Sequence, residues 1–501
     1  MKKRLAFSII LTGLVLLSCS PVSSSSVDSV SVSGTQPSSQ TSSEPIDPHA
    51  PFEHVFSKYS LVEEGKSLSR SYLPSIGERP ILVIPVVIEG YESHATDDTR
   101  NKIIATFNGE ESETGYESLR SYYLASSFGQ LSLQATVTDW FYCGYTAKDI
   151  IGASVNDGLA AVRSILNKAI EWYRFSYNES GSKFDTDSDG YLDAVWLVYS
   201  APDFSKDRTL DNPHKTFWAM TGWSKEDGNI YQPVPSGFSW GSYDFMYRGY
   251  GETSLDAHTY IHETGHLLGL DDHYDYENKC APMGGIDMMD RNIIDHNAYS
   301  KFALGWVSPI LASHPGSITL HPSVTTGNCL LVPSAKGWNG SVFDEYLLIE
   351  MYAPEGLNTK DSLAPYAKGF PQSFKRYGVR IYHVDARLCI YAGTIKCEYT
   401  EDLTTTGFFR SAIANSNTGA RSKDRRYKLL QLLDHSGVNQ AETTAMSTSA
   451  SLWGDGSVFT FDSYQNEFPL EGTMNNGYKF SYKITFDSLD REGVTVSLET
   501  I

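Results

Sequence analysis

The chain has 501 residues, 41 % of them hydrophobic and 20 % charged, a composition that excludes wholesale disorder and collagen-like fibre. Its 60 acidic residues against 40 basic ones give a formal net charge of −20, which argues against a domain-wide basic surface and hence against a nucleic-acid partner. The surplus of carboxylates suits an extracellular, calcium-using protein, and the 31 Tyr and 40 Gly suit strands and turns.

Lys2, Lys3 and Arg4 precede an apolar run over residues 5–17, too short to cross a bilayer and right for a signal peptide. The run ends in Leu16-Leu17-Ser18-Cys19, which resembles the bacterial lipobox. That resemblance implies a lipoprotein signal peptide over residues 1–19 and a lipid on Cys19, holding the protein on the extracytoplasmic side of the membrane. The alternative is an ordinary secretory signal that happens to carry a cysteine. Residues 20–77 read as a Ser/Pro-rich tether and leading segment. Half of residues 20–43 are serine, and no Lys or Arg stands between Arg4 and Lys58. The tether, residues 20–50, buries too little apolar surface to offset its ordering entropy.

Residues 79–88 begin a strand-like apolar run in which Pro85 predicts an edge position or a bulge. Residues 131–141 alternate as a half-buried strand. Leu159, Val162, Leu166, Ala169, Ile170 and Tyr173 fall on one helical face, predicting a helix over residues 157–173. Next comes Asp185-Thr186-Asp187-Ser188-Asp189-Gly190-Tyr191-Leu192-Asp193, with carboxylates at alternate positions and a glycine for the sharp turn. Asp185, Asp187, Asp189 and Asp193 offer the hard oxygens of a calcium loop, and four unpaired carboxylates so close would repel one another without a cation. Trp196 stands where an EF-hand closes with glutamate, so the loop is not a complete EF-hand. Residues 192–199 read as a buried strand.

His262-Glu263-Thr264-Gly265-His266-Leu267-Leu268-Gly269-Leu270-Asp271-Asp272 contains H-E-x-x-H followed by x-x-G-x-x-D. On a helix His262 and His266 lie one turn apart on one face and can reach one ion. Glu263 beside them can reach a water on that ion without binding it. Gly269 can take a left-handed backbone that ends the helix and swings the chain back. Asp272 then arrives as a third zinc ligand, with the adjacent His273 as its rival. Two imidazoles and one carboxylate leave a position for water, which hydrolysis requires. His258, one turn earlier, reads as a hydrogen-bonded polar residue rather than a fourth ligand.

These residues resemble the immune inhibitor A family of secreted bacterial metallopeptidases, in the metzincin clan, whose motif is H-E-x-x-H-x-x-G-x-x-D. Ser118-Leu119-Arg120-Ser121-Tyr122-Tyr123 with Ser127-Phe128-Gly129-Gln130-Leu131 resembles the family's S-V-x-x-Y-Y…S-Y-G-x-L stretch. Residues 301–307, ending Leu304-Gly305-Trp306-Val307, resemble its K-x-x-L-G-W-V. Asp287-Met288-Met289-Asp290 resembles its D-x-M segment, which implies Met289 as the Met-turn methionine beneath the metal, with Met288 and Met283 as rivals. The resemblance covers about residues 80–500. Tyr299 is a further residue that some metzincins would use at the oxyanion, with core packing as the plainer reading.

Beyond residue 310 the texture changes to short strands between Gly, Asp and Asn turns, as in residues 346–350, 379–384, 457–461 and 494–498. The expected fold class is therefore α+β: a metzincin-like zinc peptidase domain over residues 78–312, followed by a β-sandwich-like region over 313–501. Of six cysteines, Cys389 and Cys397 are close enough in sequence to bridge, and an odd number remains after Cys19. His383 and Asp385 alternate on a strand, where structural hydrogen bonding is the plainer reading. Arg421, Lys423, Arg425, Arg426 and Lys428 form an isolated basic run.

The expected function is that of a membrane-anchored, monomeric zinc endopeptidase using Zn2+ for hydrolysis of protein or peptide substrates and Ca2+ for structure. The alternative is a non-catalytic surface-binding lipoprotein, adhesin or glycan-binding, on a peptidase fold, against which the intact Glu263 argues. A cysteine switch is excluded between Cys19 and the catalytic region, because the next cysteine is Cys143. The full-length mature protein is expected to be active on the membrane without removal of residues 20–77, with specific activity equal to that of protein beginning near Glu78.

Overall fold

Period-two burial builds the first sheet. In the strand Gly77–Glu89, Ile81 and Val83 face one side while Leu82, Ile84 and Val86 face the other, and Val195–Tyr199 divides its side chains in the same way. A sheet apolar on both faces needs cover on both. The computed structural model, which describes residues 51–501 apart from 156, 204–215, 250–253, 392–396, 402, 404–408 and 413–425, supplies it with helices on either side. It is a mixed α/β structure with several sheets.

The strands of this sheet run in the order Leu131–Val137, Gly77–Glu89, Val195–Tyr199, Gly237–Ser242 and Met220–Trp223. The first four are parallel, and Met220–Trp223 closes the edge antiparallel to Gly237–Ser242. The strand carrying Pro85 lies inside the sheet, not at its edge. On one side it pairs Val195–Tyr199. On the other it pairs Leu131–Val137 through Val83 and then Phe141–Thr146 from Val86. Pro85 falls in the gap where the pairing passes from one neighbour to the next, so its missing N–H leaves no ladder bond unmade.

One face is covered by the helix Ala160–Tyr177, which buries Val162, Ile165, Leu166, Ala169, Ile170 and Tyr173. It starts three residues later than the periodicity predicts. Asp157 instead sits ahead of the helix, accepting the Leu159 N–H at 3.1 Å and pairing Arg163 at 2.8 Å. The other face is covered by the helix His258–Leu267, whose Tyr260 and Ile261 pack over Trp196 and Val198. The Trp196 indole donates to Thr264 Oγ1 at 3.0 Å, and the Tyr260 hydroxyl to the Ser242 carbonyl at 2.7 Å. The motif helix is thus bolted to the sheet by polar contacts as well as by burial.

The second half is built on another sheet, ordered Glu53–His54, Ile310–Leu311, Cys329–Pro333, Glu345–Tyr352, Gly378–Asp385 and Leu430–Leu432. Leu331, Tyr346, Leu348, Tyr382 and Val384 from one of its faces join the same core as the motif helix. Leu330, Val332, Leu347, Ile349 and Ile381 from the other face pack on a four-stranded sheet made of Gly316–Leu320, Val494–Thr500, Tyr482–Asp487 and Ser457–Phe459. Residue 312 is therefore a change of architecture but not a boundary between cores. His383 and Asp385 are structural: His383 Nε2 bonds Glu345 at 2.7 Å, and Arg387 grips both oxygens of Asp385 at 2.7 and 2.8 Å.

Residues 51–77, expected as a short leading segment after the flexible tether, are built into this body. Glu53–His54 adds a strand beside Ile310–Leu311. Tyr72 and Leu73 are buried in the core of the motif helix, and the Leu73 N–H donates to the Leu267 carbonyl at 2.8 Å. Two stretches far apart in the chain meet nearby: Gln130 Nε2 donates to the Trp306 carbonyl at 2.8 Å, and the Trp306 indole to the Ser75 carbonyl at 2.8 Å. Cys143, Cys280 and Cys329 are free and buried. Cys19, most of the tether, Arg421, Lys423, Arg425 and the side chains of Cys389 and Cys397 lie outside what is described. Among the described residues no helix is long and apolar enough to cross a membrane.

Candidate metal centre and its cleft

The motif helix ends at Leu267, and Gly269 at φ +97° turns the chain back beneath it. Asp272 thereby returns to the face that carries His262 and His266. Its Oδ1 lies 3.1 Å from His262 Nε2 and 3.3 Å from His266 Nε2. The second ring nitrogens fix the tautomers. His262 Nδ1 meets the Met288 carbonyl at 2.8 Å and His266 Nδ1 the Leu270 carbonyl at 2.7 Å. A carbonyl only accepts, so each Nδ1 carries the hydrogen and each neutral Nε2 presents a lone pair inward. Asp272 Oδ1 is buried with no hydrogen-bond donor. Three acceptor atoms thus converge and require a positive charge between them.

The electrostatics agree. Burial alone would push the His266 imidazole down, but the neighbouring Asp272 carboxylate outweighs it and carries His266 up to about 10, so without an ion a proton supplies the positive charge that Asp272 demands. Burial would likewise raise Asp272, yet His266 and His262 hold it well below the usual carboxylate range. The donor set of two imidazoles and one carboxylate, with an orphaned oxygen at its centre, fits a zinc ion. His273 is not part of it. Its Nδ1 is bound to Asp287 Oδ1 at 2.8 Å, and Asp287 is held in turn by Asn297 Nδ2 at 2.6 Å and the Met289 N–H at 2.9 Å.

Met289 is fully buried and lies directly under the motif helix, where a Cβ on Gly265 would stand 2.6 Å from its sulfur. Met288 contributes the carbonyl that orients His262. Tyr299 is buried and does not line the cleft. His258 is stacked between Tyr116 and Tyr366, with ring centroids 4.2 and 4.1 Å away, and its Nδ1 bonds Asp256 at 2.7 Å. It supports the start of the helix and does not enter the metal group.

Glu263 lies beside the two histidines in a cleft of about 570 Å³. Burial raises its carboxyl. Thr221 Oγ1, on the edge strand, lies 2.9 Å from the Glu263 carbonyl oxygen and 3.1 Å from its Oε2, and its single hydrogen can go to either. One end of the cleft is walled by Arg70, Tyr72 and Trp223, with the Arg70 guanidinium 5.0 Å from the Trp223 ring. The other end holds Trp218, Phe245 and Arg248, whose guanidinium is 4.3 Å from the Phe245 ring and bound to Asp203. Tyr276 donates to Asp272 Oδ2 at 2.6 Å. The motif itself gives no sign of Thr221, Arg70 or Tyr72, which are brought in from far along the chain. Tyr274 and Tyr276 follow Asp272 closely enough to have been noticed.

The acidic loop upstream converges only in part. Asp185, Asp187 and Asp193 bring one oxygen each to within 4.8 Å of one another. Asp189 turns away, accepting from Ser71 Oγ at 2.6 Å and from the Tyr191 N–H at 2.9 Å. Gly190 makes the sharp turn at φ +89°, and the Asp185 carboxylate takes the Asp189 and Gly190 N–H groups at 3.1 Å each. Asp185 and Asp193 are buried, and burial pushes the Asp193 carboxyl up to about 7. The three converging carboxylates fit a hard cation such as Ca2+. A scan against protein-family models finds no match to the chain, and a search of curated proteins finds none either.

Proposed function

We propose that the protein is a zinc-dependent endopeptidase of metzincin type, resembling the immune inhibitor A family and held at the cell surface by a lipid on Cys19. The observation that carries this reading is the convergence of His262 Nε2, His266 Nε2 and the orphaned Asp272 Oδ1 beside a buried Glu263 that is not part of the trio. Zinc bound there supplies a Lewis acid that acidifies water and polarises a carbonyl.

The chain's own residues do the rest. Glu263, steadied by Thr221, takes a proton from the attacking water and returns it to the leaving amine. Met220–Trp223, at the sheet edge, offers its backbone to an extended peptide, which would lie along the cleft between the Arg70–Trp223 end and the Trp218–Arg248 end. Strand addition recognises backbone rather than sequence and so suits a protease of broad reach. Met289 holds the floor of the site at fixed height, and Asp287 locks the turn that carries it. The β-rich half supports the catalytic layer through their common core. Asp185, Asp187 and Asp193 would hold calcium, which would fix the loop, while Asp189 ties the same loop to the leading segment through Ser71.

Metal analysis and cleavage mapping test the proposal together. The purified protein should carry one equivalent of zinc and cut an unstructured protein at internal bonds. Removing the zinc should abolish cutting, and re-addition should restore it. Stoichiometric zinc without any cleavage would favour a binding protein on a peptidase fold, and no zinc would end the proposal.

A further inference from the structure

The two oxygens of Asp272 are treated differently. Oδ1 is buried, has no hydrogen-bond donor, and faces both imidazoles. Oδ2 is engaged by the Tyr276 hydroxyl at 2.6 Å, and the Tyr274 hydroxyl approaches the same carboxylate. A phenol hydroxyl has one hydrogen to give, and here it goes to a carboxylate oxygen. Tyr276 is four residues beyond Asp272, on the exposed rim of the cleft, with 53 % of its surface open. Its ring therefore contributes little to the core, and its one defined polar contact is with the ligand.

We infer that Tyr276 is a positioning residue which keeps Asp272 a one-oxygen ligand and so keeps a coordination place open for water. The inference rests on the zinc reading. A free carboxylate can offer both oxygens to an ion, and the second would occupy or crowd the place that water needs. It would also donate more charge to the metal and make the water less acidic. A hydrogen bond to Oδ2 prevents both effects. The arrangement is a division of labour within one side chain: Oδ1 for the ion, Oδ2 for the phenol.

Tyr276→Phe removes the hydroxyl and leaves the ring. The variant should keep one equivalent of zinc and melt close to the parent. Its kcat/KM should fall about 10-fold to 100-fold, the usual range for partners that orient a metal ligand. The acid limb of its pH–rate profile should move to higher pH. With cobalt in place of zinc, the visible bands of the variant should weaken, as they do when a four-coordinate ion gains a fifth donor. A Tyr276→Phe protein with the parent's cobalt spectrum and acid limb would overturn the inference while leaving the zinc reading intact, even if its activity had dropped. A parent protein that binds neither zinc nor cobalt would instead remove the zinc reading and this inference with it.

Discussion

Gly269 controls where Asp272 arrives, and replacing it with alanine tests the geometry of the site without touching a ligand. Two costs can be read from the structure. The residue sits at φ +97°, where an L side chain is strained by about 1–2 kcal/mol. A Cβ there would also lie 2.7 and 2.8 Å from two carbons of the Tyr72 ring and 3.3 Å from Leu61 Cβ. Tyr72 is buried and cannot simply swing away, so overpacking adds about 1–3 kcal/mol. Gly269→Ala should therefore destabilise the protein by about 2–5 kcal/mol and weaken zinc binding, because the displaced turn carries Asp272 with it. Urea midpoints at constant slope measure the first effect, and competition with a zinc chelator measures the second. The two costs separate in a cycle. In a Tyr72→Ala background the steric part is gone, and Gly269→Ala should cost only the backbone part of about 1–2 kcal/mol. Equal costs in both backgrounds would show that the Tyr72 contact is irrelevant. A cost below about 0.5 kcal/mol in the parent, the ordinary scatter of surface substitutions, would refute the whole argument.

Three further outcomes are expected. Glu263→Gln should keep its zinc and its fold but lose about 10²–10⁴ in kcat, the usual worth of a general base, as followed by peptide hydrolysis. Replacing Asp187 and Asp193 by alanine should abolish the rise in melting temperature expected of the parent with added calcium, whose underlying stabilisation free energy should follow RT ln(1 + [Ca]/Kd). Truncation before Glu78, neutral on the reading from composition, should instead lower both stability and activity, since it deletes buried Tyr72 and Leu73 and the Arg70 wall of the cleft. Specific activity of the two purified forms decides that point, and a large gain would show that the segment inhibits.

Patterns confined to one stretch of chain were legible in the sequence. The helix Ala160–Tyr177 follows from its apolar stripe, and the His262, His266 and Gly269 geometry follows from spacing along one helix and one glycine. What escaped depends on long-range pairing. Pro85 pointed to an edge or a bulge because a proline lacks a donor, and the sheet supplies an interruption in the pairing there, inside the sheet, between two neighbours. Asp189 matched the calcium spacing, yet Ser71 from the leading segment claims its carboxylate. The leading segment looked like a leader because its serine-rich start dominates its composition, while the few apolar residues that anchor it come late. The choice between Asp272 and His273 needed the partner of His273, Asp287, which lies 14 positions away.

The sheet that serves two cores has a consequence for the order in which the molecule comes into being. Its inner face completes the layer that holds the motif helix, and its last strand, Leu430–Leu432, follows Trp306 by well over a hundred residues. At about 5–20 residues per second, a ribosome needs on the order of ten seconds to add that stretch. Until then the residues that would hold zinc are present, but the core they share with this sheet is incomplete. If the proposed activity is right, it can begin only once that distant strand has been made, which spares the unfinished chain from being cut.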